Sequence, residues 1–534
     1  MVPKGEEGSH GHAARLHNIP PLGVSFEPGR FGRMVPELAT PLVPPDEHLA
    51  ELGLAMEDAG GGASGDNKNI PAAFTYLGQF IDHDITLDTT TLTEISQDPK
   101  GEVNFRTPRL DLDSVYGLGP RVQPSLYDRN SPGRAKLLLG VTSLGRNAEV
   151  KAGLEHDLPR NRQGFAIIGD ERNDENLLVA QVHLAFMRFH NAMVDRLQGT
   201  VSDLDLFEAA RTAVVHHYQA MVIRDFLAKI CDPNAVALAI EKRRFFRFEY
   251  FSRYGAPYMP VEFSGAAYRL GHSMVRERYS HNRFFNRASG INSFNFFFLF
   301  TAKSGIIGTP NGPPTFPSDW IIDWRRYLDF KTKDKTGDFA LNLSRKIDPY
   351  LISHLHSLPD GDLDKKSPDR SLAVMNLRRG VKLQLPAAQD LALFMGVEPL
   401  DPADIAAAGP DGAIAAKHGL HERTPLWYYI LKEAELQQRG ERLGQLGSTI
   451  VAETFVGLLQ GDPESILTRD PHWRLGQPMR ILTLPNANQS FSFADLVTMA
   501  AGGRTKELLS PVDDPANISA PVTQPTPEPA PAGE

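Results

Sequence analysis

Gly78-Gln79-Phe80-Ile81-Asp82-His83-Asp84 brings an amide, a carboxylate and an imidazole to one face of a predicted helix. Gln79, Asp82 and His83 stand at i, i+3 and i+4, so their side chains share one pocket while Phe74, Leu77 and Ile81 turn elsewhere. Pro71 suits the first helical turn, and Asn69 is placed to cap it. Asp84 points about 100° away from His83, toward a different site. Burying several polar groups together is costly unless each has a partner, so the cluster implies a ligand or metal that supplies partners.

Working outward, 534 residues with 41% hydrophobic content can bury a large core. The net charge of −9 and the scattered Lys and Arg exclude a nucleic-acid binder. The local basic run Glu241-Lys242-Arg243-Arg244-Phe245-Phe246-Arg247 reads as a solvated helix edge. A single cysteine, Cys231, excludes an intrachain disulfide, so stability rests on packing or bound cofactors. The start, Met1-Val2-Pro3-Lys4-Gly5, has no apolar core of a Sec signal, and the expectation is a cytoplasmic protein unless it leaves by a route without a cleaved leader. No apolar run reaches the roughly 18 residues that span a bilayer. The aromatic run Phe294 to Phe300 is too short and reads as buried core.

Apolar residues at helical spacing predict helices over Leu177–Leu197, Leu204–Ile230, Ala387–Gly396, Pro425–Gln438 and Ser448–Leu459, whereas strand patterns are few and short. Residues 1–20 read as a mobile N-terminal segment, 21–505 as one mainly α domain with long loops, and 506–534 as a Pro/Ala-rich disordered tail.

Four further segments carry chemistry. Gly169-Asp170-Glu171-Arg172-Asn173-Asp174-Glu175-Asn176 precedes the Leu177 helix, with Arg172 and Glu175 on one face and Asn173 or Asp174 as cap. In Thr107-Pro108-Arg109-Leu110-Asp111-Leu112-Asp113, read as extended, Thr107, Asp111 and Asp113 face one way. Closely spaced oxygens of this kind suit calcium, with Asp84 as a third carboxylate. Asp360-Gly361-Asp362-Leu363-Asp364 lacks the length and terminal Glu of an EF-hand loop and reads as solvated. Tyr268-Arg269-Leu270-Gly271-His272 sets a histidine beside a glycine, with room for a planar ligand, and Met375-Asn376-Leu377-Arg378-Arg379 offers an Asn to orient it and an Arg for an acidic group.

Together and in this order these segments resemble the animal-type haem peroxidases of the peroxidase–cyclooxygenase superfamily, along with Arg188-Phe189-His190-Asn191 and Thr424-Pro425-Leu426-Trp427-Tyr428. The resemblance implies a mainly α haem peroxidase-like fold with long loops and few short strands. It implies His83 as the distal histidine, Gln79 beside it at the peroxide and halide site, and Arg172 as the distal arginine. His272 matches the proximal iron ligand, Asn376 the acceptor of its hydrogen bond, and Arg379 the partner of a haem propionate. Asp84, Thr107, Asp111, Asp113 and the carbonyl of Arg109 match a calcium site. Asp82 and Glu175 match the two carboxylates that form esters with haem b in many members.

The implied activity is oxidation of small anions (bromide, iodide, thiocyanate) or phenolic donors by hydrogen peroxide. Two departures refine it. Asn176 replaces the methionine that forms a sulfonium link in the strongest chloride oxidiser, so chloride is expected to be a poor donor. Arg269 stands where the superfamily's fatty-acid dioxygenases carry a radical-forming tyrosine, three residues before the proximal histidine, with Tyr268 one further back. Dioxygenation is therefore the alternative reading, and a non-catalytic haem sensor the third, against which the trio of Gln79, His83 and Arg172 argues.

Overall fold

Each long apolar period in the sequence closes into a helix in the computed structural model, which describes residues 29–38, 40–58, 65–87, 103–104, 106–247, 257–303, 305–331, 340–358, 364, 366–469, 491–503 and 505–519. Eight helices frame the site: α1 (Asp46–Ala55), α2 (Ala73–Ile85), α3 (Leu177–Leu197), α4 (Leu206–Met221), α5 (Leu372–Lys382), α6 (Leu426–Gln438), α7 (Gln445–Gln460) and α8 (Phe493–Ala500). α3 is the hub, packed by α2, α4 and α8, while α5 lies on α1 and α6 on α7. Phe80 of α2 stacks on Phe186 of α3 at 4.5 Å and meets Tyr218 of α4 edge-on at 6.5 Å. That contact turns the apolar face of α2 inward and leaves Gln79 and His83 on another.

The strands are brief, as expected. Gly29–Gly32 pairs with Val103–Asn104 and with Met259–Pro260, Glu57–Asp58 with Leu351–Ile352, and Asp66–Pro71 with Leu343–Arg345. No helix among the described residues is long and apolar enough to cross a membrane.

Several expectations are corrected by long-range contacts. Pro71 ends a strand rather than opening α2, and Asn69 does not cap it, because its amide reaches Glu441. The amides of Ala72 and Ala73 are satisfied instead by the carbonyls of Asn342 and Tyr327. The Leu204 to Ile230 period is broken by a π-helical turn at Val222–Phe226. The cap of α3 is Asn176, whose side chain accepts from the Val179 amide, not Asn173 or Asp174. The 107–113 segment is not a strand: Leu112, with φ of 57°, folds it into a turn before a short helix at Asp113–Tyr116.

The basic run leaves its helix at Glu241, and the carboxylate of Glu453 accepts from the amides of Arg244, Phe245 and Phe246. The body also continues past residue 505. Leu509 and Val512 are buried, Asp513 meets Arg325, and Ile518 pairs with Val150, so ordered structure extends through Ser519. Residues 1–28 and 520–534 lie outside the described residues, as do Asp360–Leu363 of the second acidic run. The Phe294–Phe300 run is core, with Phe297 packed on Tyr279 and His281 and Phe300 on Trp320.

Gly169 marks the closest backbone approach behind the site: a Cβ there would lie 2.5 Å from the Ser114 carbonyl oxygen and 2.8 Å from that of Asp113. Gly169→Ala must push these loops apart, and thermal or urea unfolding should show a loss of about 1–3 kcal/mol. Gly380→Ala, where a Cβ meets only a Leu385 methyl at 4.0 Å, should be neutral or mildly stabilising. Equal stability of the two variants would refute the crowding.

Candidate functional site

His83 sits near the C-terminal end of α2, 5% exposed, with Nδ1 2.8 Å from Oδ1 of Asn173. Nε2 is the nitrogen that faces Glu175, at 3.7 Å. Burial, joined by the positive charge of Arg172, holds the imidazole below its ordinary pKa, which keeps it in its neutral form. Gln79 stands one turn back: its amide nitrogen donates to Glu175 and its oxygen accepts from Asn176 at 3.0 Å. The Asp82 carboxylate accepts from the Thr86 hydroxyl at 3.0 Å. The structure thus brings Gln79 and His83 together, as their spacing on one helix predicts, and sets Glu175 from a distant segment beside them, while the Asp82 carboxylate of the expected trio is held by Thr86.

Arg172 comes to the same place by a different side. It lies in a short 3₁₀ turn, Glu171–Asp174, capped by Asp170. Its Nη2 donates to the carbonyls of His83 (2.9 Å) and Thr86 (2.7 Å) and, with Nε, to the Asp170 carboxylate. A cation on the last carbonyls of a helix is favourable in itself.

The acidic turn reaches this site from behind. Carboxylate oxygens of Asp84, Asp111 and Asp113 gather within 4.8 Å of one another. Burial and the Asp113 charge push Asp111 up to about 6, and Asp84 is likewise raised by burial and its two neighbours. Asp84 is held by the Leu112 amide (3.2 Å) and the Ser114 hydroxyl (3.0 Å), and the Thr107 hydroxyl donates to Asp111 at 3.1 Å. Two buried acids and a half-buried one this close repel unless a cation or protons intervene. The side chain of Arg109 turns to Asp462, so only its backbone remains for such a site.

His272 ends a 3₁₀ turn, Ala267–His272, that is fastened to α2 by the Tyr268 hydroxyl on the Gly78 carbonyl (3.2 Å). Its Nδ1 lies 2.8 Å from the amide Nδ2 of Asn376, on α5. Turning that amide over presents Oδ1 to an Nδ1–H and leaves Nε2 with its lone pair. Burial, then the charges of Arg269 and Arg379, push His272 down to about 3, which keeps it neutral. A Cβ on Gly271 would have no atom within 4 Å. A neutral imidazole with one nitrogen oriented and open space beside it fits the axial ligand of a planar iron cofactor. Arg379 lies one turn beyond Asn376 on the same face of α5.

Sequence reasoning gave no role to Arg106, Asp170 or His183. Arg106 is 3% exposed and donates to Asp170 (3.0 Å), Asp113 (3.1 Å) and the Gly169 carbonyl (3.2 Å). Nothing in its local sequence signals this, because its partners come from distant segments. Arg106→Gln leaves two buried carboxylates under-compensated and should cost about 3–5 kcal/mol in urea unfolding, with Arg106→Lys intermediate since one ammonium cannot span the fork. Unchanged stability of Arg106→Gln would remove it as a structural cation.

The model of the animal haem peroxidase family matches residues 90–306, a span that contains Arg172, Glu175, His272 and the 107–113 turn. Thyroid peroxidase of Mus musculus is 30% identical over 189 residues, which are 33% of this chain and 20% of that protein. A peroxidase-like protein of Margaritifera margaritifera is 26% identical over 281 residues, 43% of this chain and 34% of that protein. The chain thus spans about a fifth and a third of these two relatives. Among solved structures, peroxidase A of Dictyostelium discoideum aligns over 88% of this chain and 94% of its own, with a TM-score of 0.53 and 17% identity. The fatty acid alpha-dioxygenase of Oryza sativa aligns over 91% and 81%, with a TM-score of 0.55 and 13% identity. At these identities the structural likeness shows a shared fold.

Proposed function

We propose that the chain is a haem peroxidase that uses hydrogen peroxide to oxidise small anions such as bromide, iodide and thiocyanate, or phenolic donors, a reading supported by the match of the animal haem peroxidase model to residues 90–306 and by the likeness to thyroid peroxidase. The observation that carries this reading is His83: a buried, neutral imidazole whose Nδ1 is bonded to Asn173 and whose Nε2 faces the side of α2 shared with Gln79 and Glu175. Holding haem requires His272 alone. A base kept neutral beside an amide and an arginine is what peroxide cleavage requires in addition.

His272 would hold the iron through Nε2, with Asn376 fixing the ring and Arg379 meeting an acidic edge of the cofactor. Bound haem supplies the iron at which peroxide is reduced and the oxidising equivalents that pass to the donor. His83 takes the proton from the near peroxide oxygen at Nε2 and returns it to the departing one, which leaves as water. Arg172 supplies positive charge beside that oxygen, and Gln79 offers an amide donor to peroxide or to an anion. Asp82 and Glu175 are the carboxylates we assign to ester links with the cofactor.

The deciding experiment loads the full chain with haem, adds peroxide, and compares iodide, thiocyanate, bromide, chloride, guaiacol and linoleate. The expected order places the first three above chloride. His83→Ala should keep its haem yet react with peroxide about 100-fold more slowly, and His272→Ala should purify without haem. Near-native peroxide reaction in His83→Ala would end this reading. Oxygen uptake with linoleate and no anion oxidation would move the protein to the dioxygenase reading.

We assign calcium to Asp84, Thr107, Asp111, Asp113 and the Arg109 carbonyl. The repulsion among the three acids supports a divalent ion there. Chelation, or Asp111→Ala, should lower haem retention and melting temperature together, since Asp84 is the chain neighbour of His83. A calcium-free protein with full activity and unchanged melting would contradict the assignment.

A further inference from the structure

Asn173 is fully buried, and its amide lies between two imidazoles. Oδ1 is 2.8 Å from Nδ1 of His83, and Nδ2 is 3.0 Å from Nδ1 of His183, on α3. An amide oxygen only accepts and an amide nitrogen only donates. Whichever ring meets the oxygen must therefore carry Nδ1–H, and whichever meets the nitrogen must present a lone pair. The two tautomers exclude each other.

We propose that Asn173 is the positioning residue that sets the tautomer of His83, holding its proton on Nδ1 and its lone pair on Nε2, with His183 held in the opposite tautomer as the other half of the pair. The assignment rests, for its catalytic consequence, on His83 serving as the base in peroxide cleavage. Three features support it. His183 is fully buried, packs edge-on against Phe80 at 5.9 Å, and its Nε2 has no partner among the described residues, so Asn173 is the one polar group recorded on that ring. Asn173 is itself clamped, its backbone amide donating to the Asp170 carbonyl at 3.1 Å. And only the oxygen-to-His83 orientation tolerates the working cycle: once Nε2 takes a proton from peroxide, both ring nitrogens of His83 are donors. Oδ1 then accepts from Nδ1–H, whereas a reversed amide would set two donors face to face. When the proton passes on to the departing oxygen, the ring returns to its starting tautomer with nothing else moved.

The other charged groups around the pair leave this geometry in place. Arg172 touches the His83 carbonyl rather than the ring, and Glu175 lies on the Nε2 side.

The test is nitrogen-15 NMR of the histidine rings in the full-length, haem-loaded protein held in its diamagnetic ferrous carbonyl form, paired with stopped-flow reaction of the ferric protein with peroxide. In the native chain His83 should show a protonated Nδ1 and a bare Nε2, and His183 the reverse. Asn173→Leu, close in volume but unable to bond, should give averaged tautomers at both rings and slow the peroxide reaction about 10- to 100-fold, the usual effect of losing an orienting partner. KM for the electron donor should not change. Asn173→Asp accepts from both rings, so it should restore Nδ1–H on His83, convert His183 to Nδ1–H, and recover most of the rate. If Asn173→Leu does not fold, the Asp variant decides alone through the inverted His183 signal.

Native His83 with a bare Nδ1, or ring signals that ignore both substitutions, overturns the assignment. So does Asn173→Leu with the native rate. A native protein that shows the paired tautomers but does not react with peroxide leaves the pairing intact and refutes instead the peroxidase reading on which its use depends.

Discussion

A buried ladder of alternating charge holds the site together: Asp113 to Arg106, Arg106 to Asp170, Asp170 to Arg172, and Arg172 to the final carbonyls of α2. The rungs come from three separate stretches, residues 106–113, residues 170–172 and the end of α2, so the acidic turn, the 3₁₀ turn and the helix that carries His83 cannot shift independently. Burial alone would favour a protonated Asp170, but the guanidiniums of Arg172 and Arg106 outweigh it and hold that carboxyl far below the usual range. Buried ion pairs of this kind contribute modestly to net stability, and their value lies in fixing one arrangement. Here the arrangement is the height of His83 relative to the acidic turn.

The ladder also explains how a cation at Asp84, Asp111 and Asp113 would act on His83 without touching it. Asp113 is shared between the acid cluster and Arg106, and Asp84 is the next residue after His83. A change of charge in the cluster is felt along two routes: through the backbone of α2, and through Arg106 and Asp170 to Arg172. The three acids sit at elevated pKa because burial and mutual repulsion act together, which is the electrostatic condition a divalent ion relieves.

What the sequence made legible was local. The Leu177–Leu197 helix appears with the predicted bounds because its apolar period runs unbroken over 21 residues. Gln79 and His83 converge because their spacing on one helix is fixed by the backbone. The caps failed where partners came from afar: Asn69 is taken by Glu441, and α2 begins on the carbonyls of Tyr327 and Asn342. Arg106 and His183 have no local signal, and Asn173 resembles a cap because Asn before an apolar helix usually is one. The acidic turn was right in composition and wrong in shape. An extended strand aligns alternate residues, but here the left-handed Leu112 folds the chain so that Asp111 and Asp113 meet Asp84.

The fold itself is shared by peroxidases and fatty acid dioxygenases, so it does not choose between them, and the choice falls to the side chains. Arg269, three residues before His272, donates through Nε to the Ser264 carbonyl and so turns along its own chain. Tyr268 does reach α2, but as a strut: its ring stacks on Phe263 at 4.6 Å, its hydroxyl donates to the Gly78 carbonyl, and burial pushes the phenol well above its ordinary pKa. Losing its hydrogen would break the bond that fastens the His272 turn to α2. The aromatic run Phe294 to Phe300 is packed on Tyr279, His281 and Trp320, as buried core rather than as the lining of a lipid channel. Around α2, Gln79, His83 and Glu175 face one another, and the proposed proton transfer to and from a small, polar oxidant rests on that arrangement.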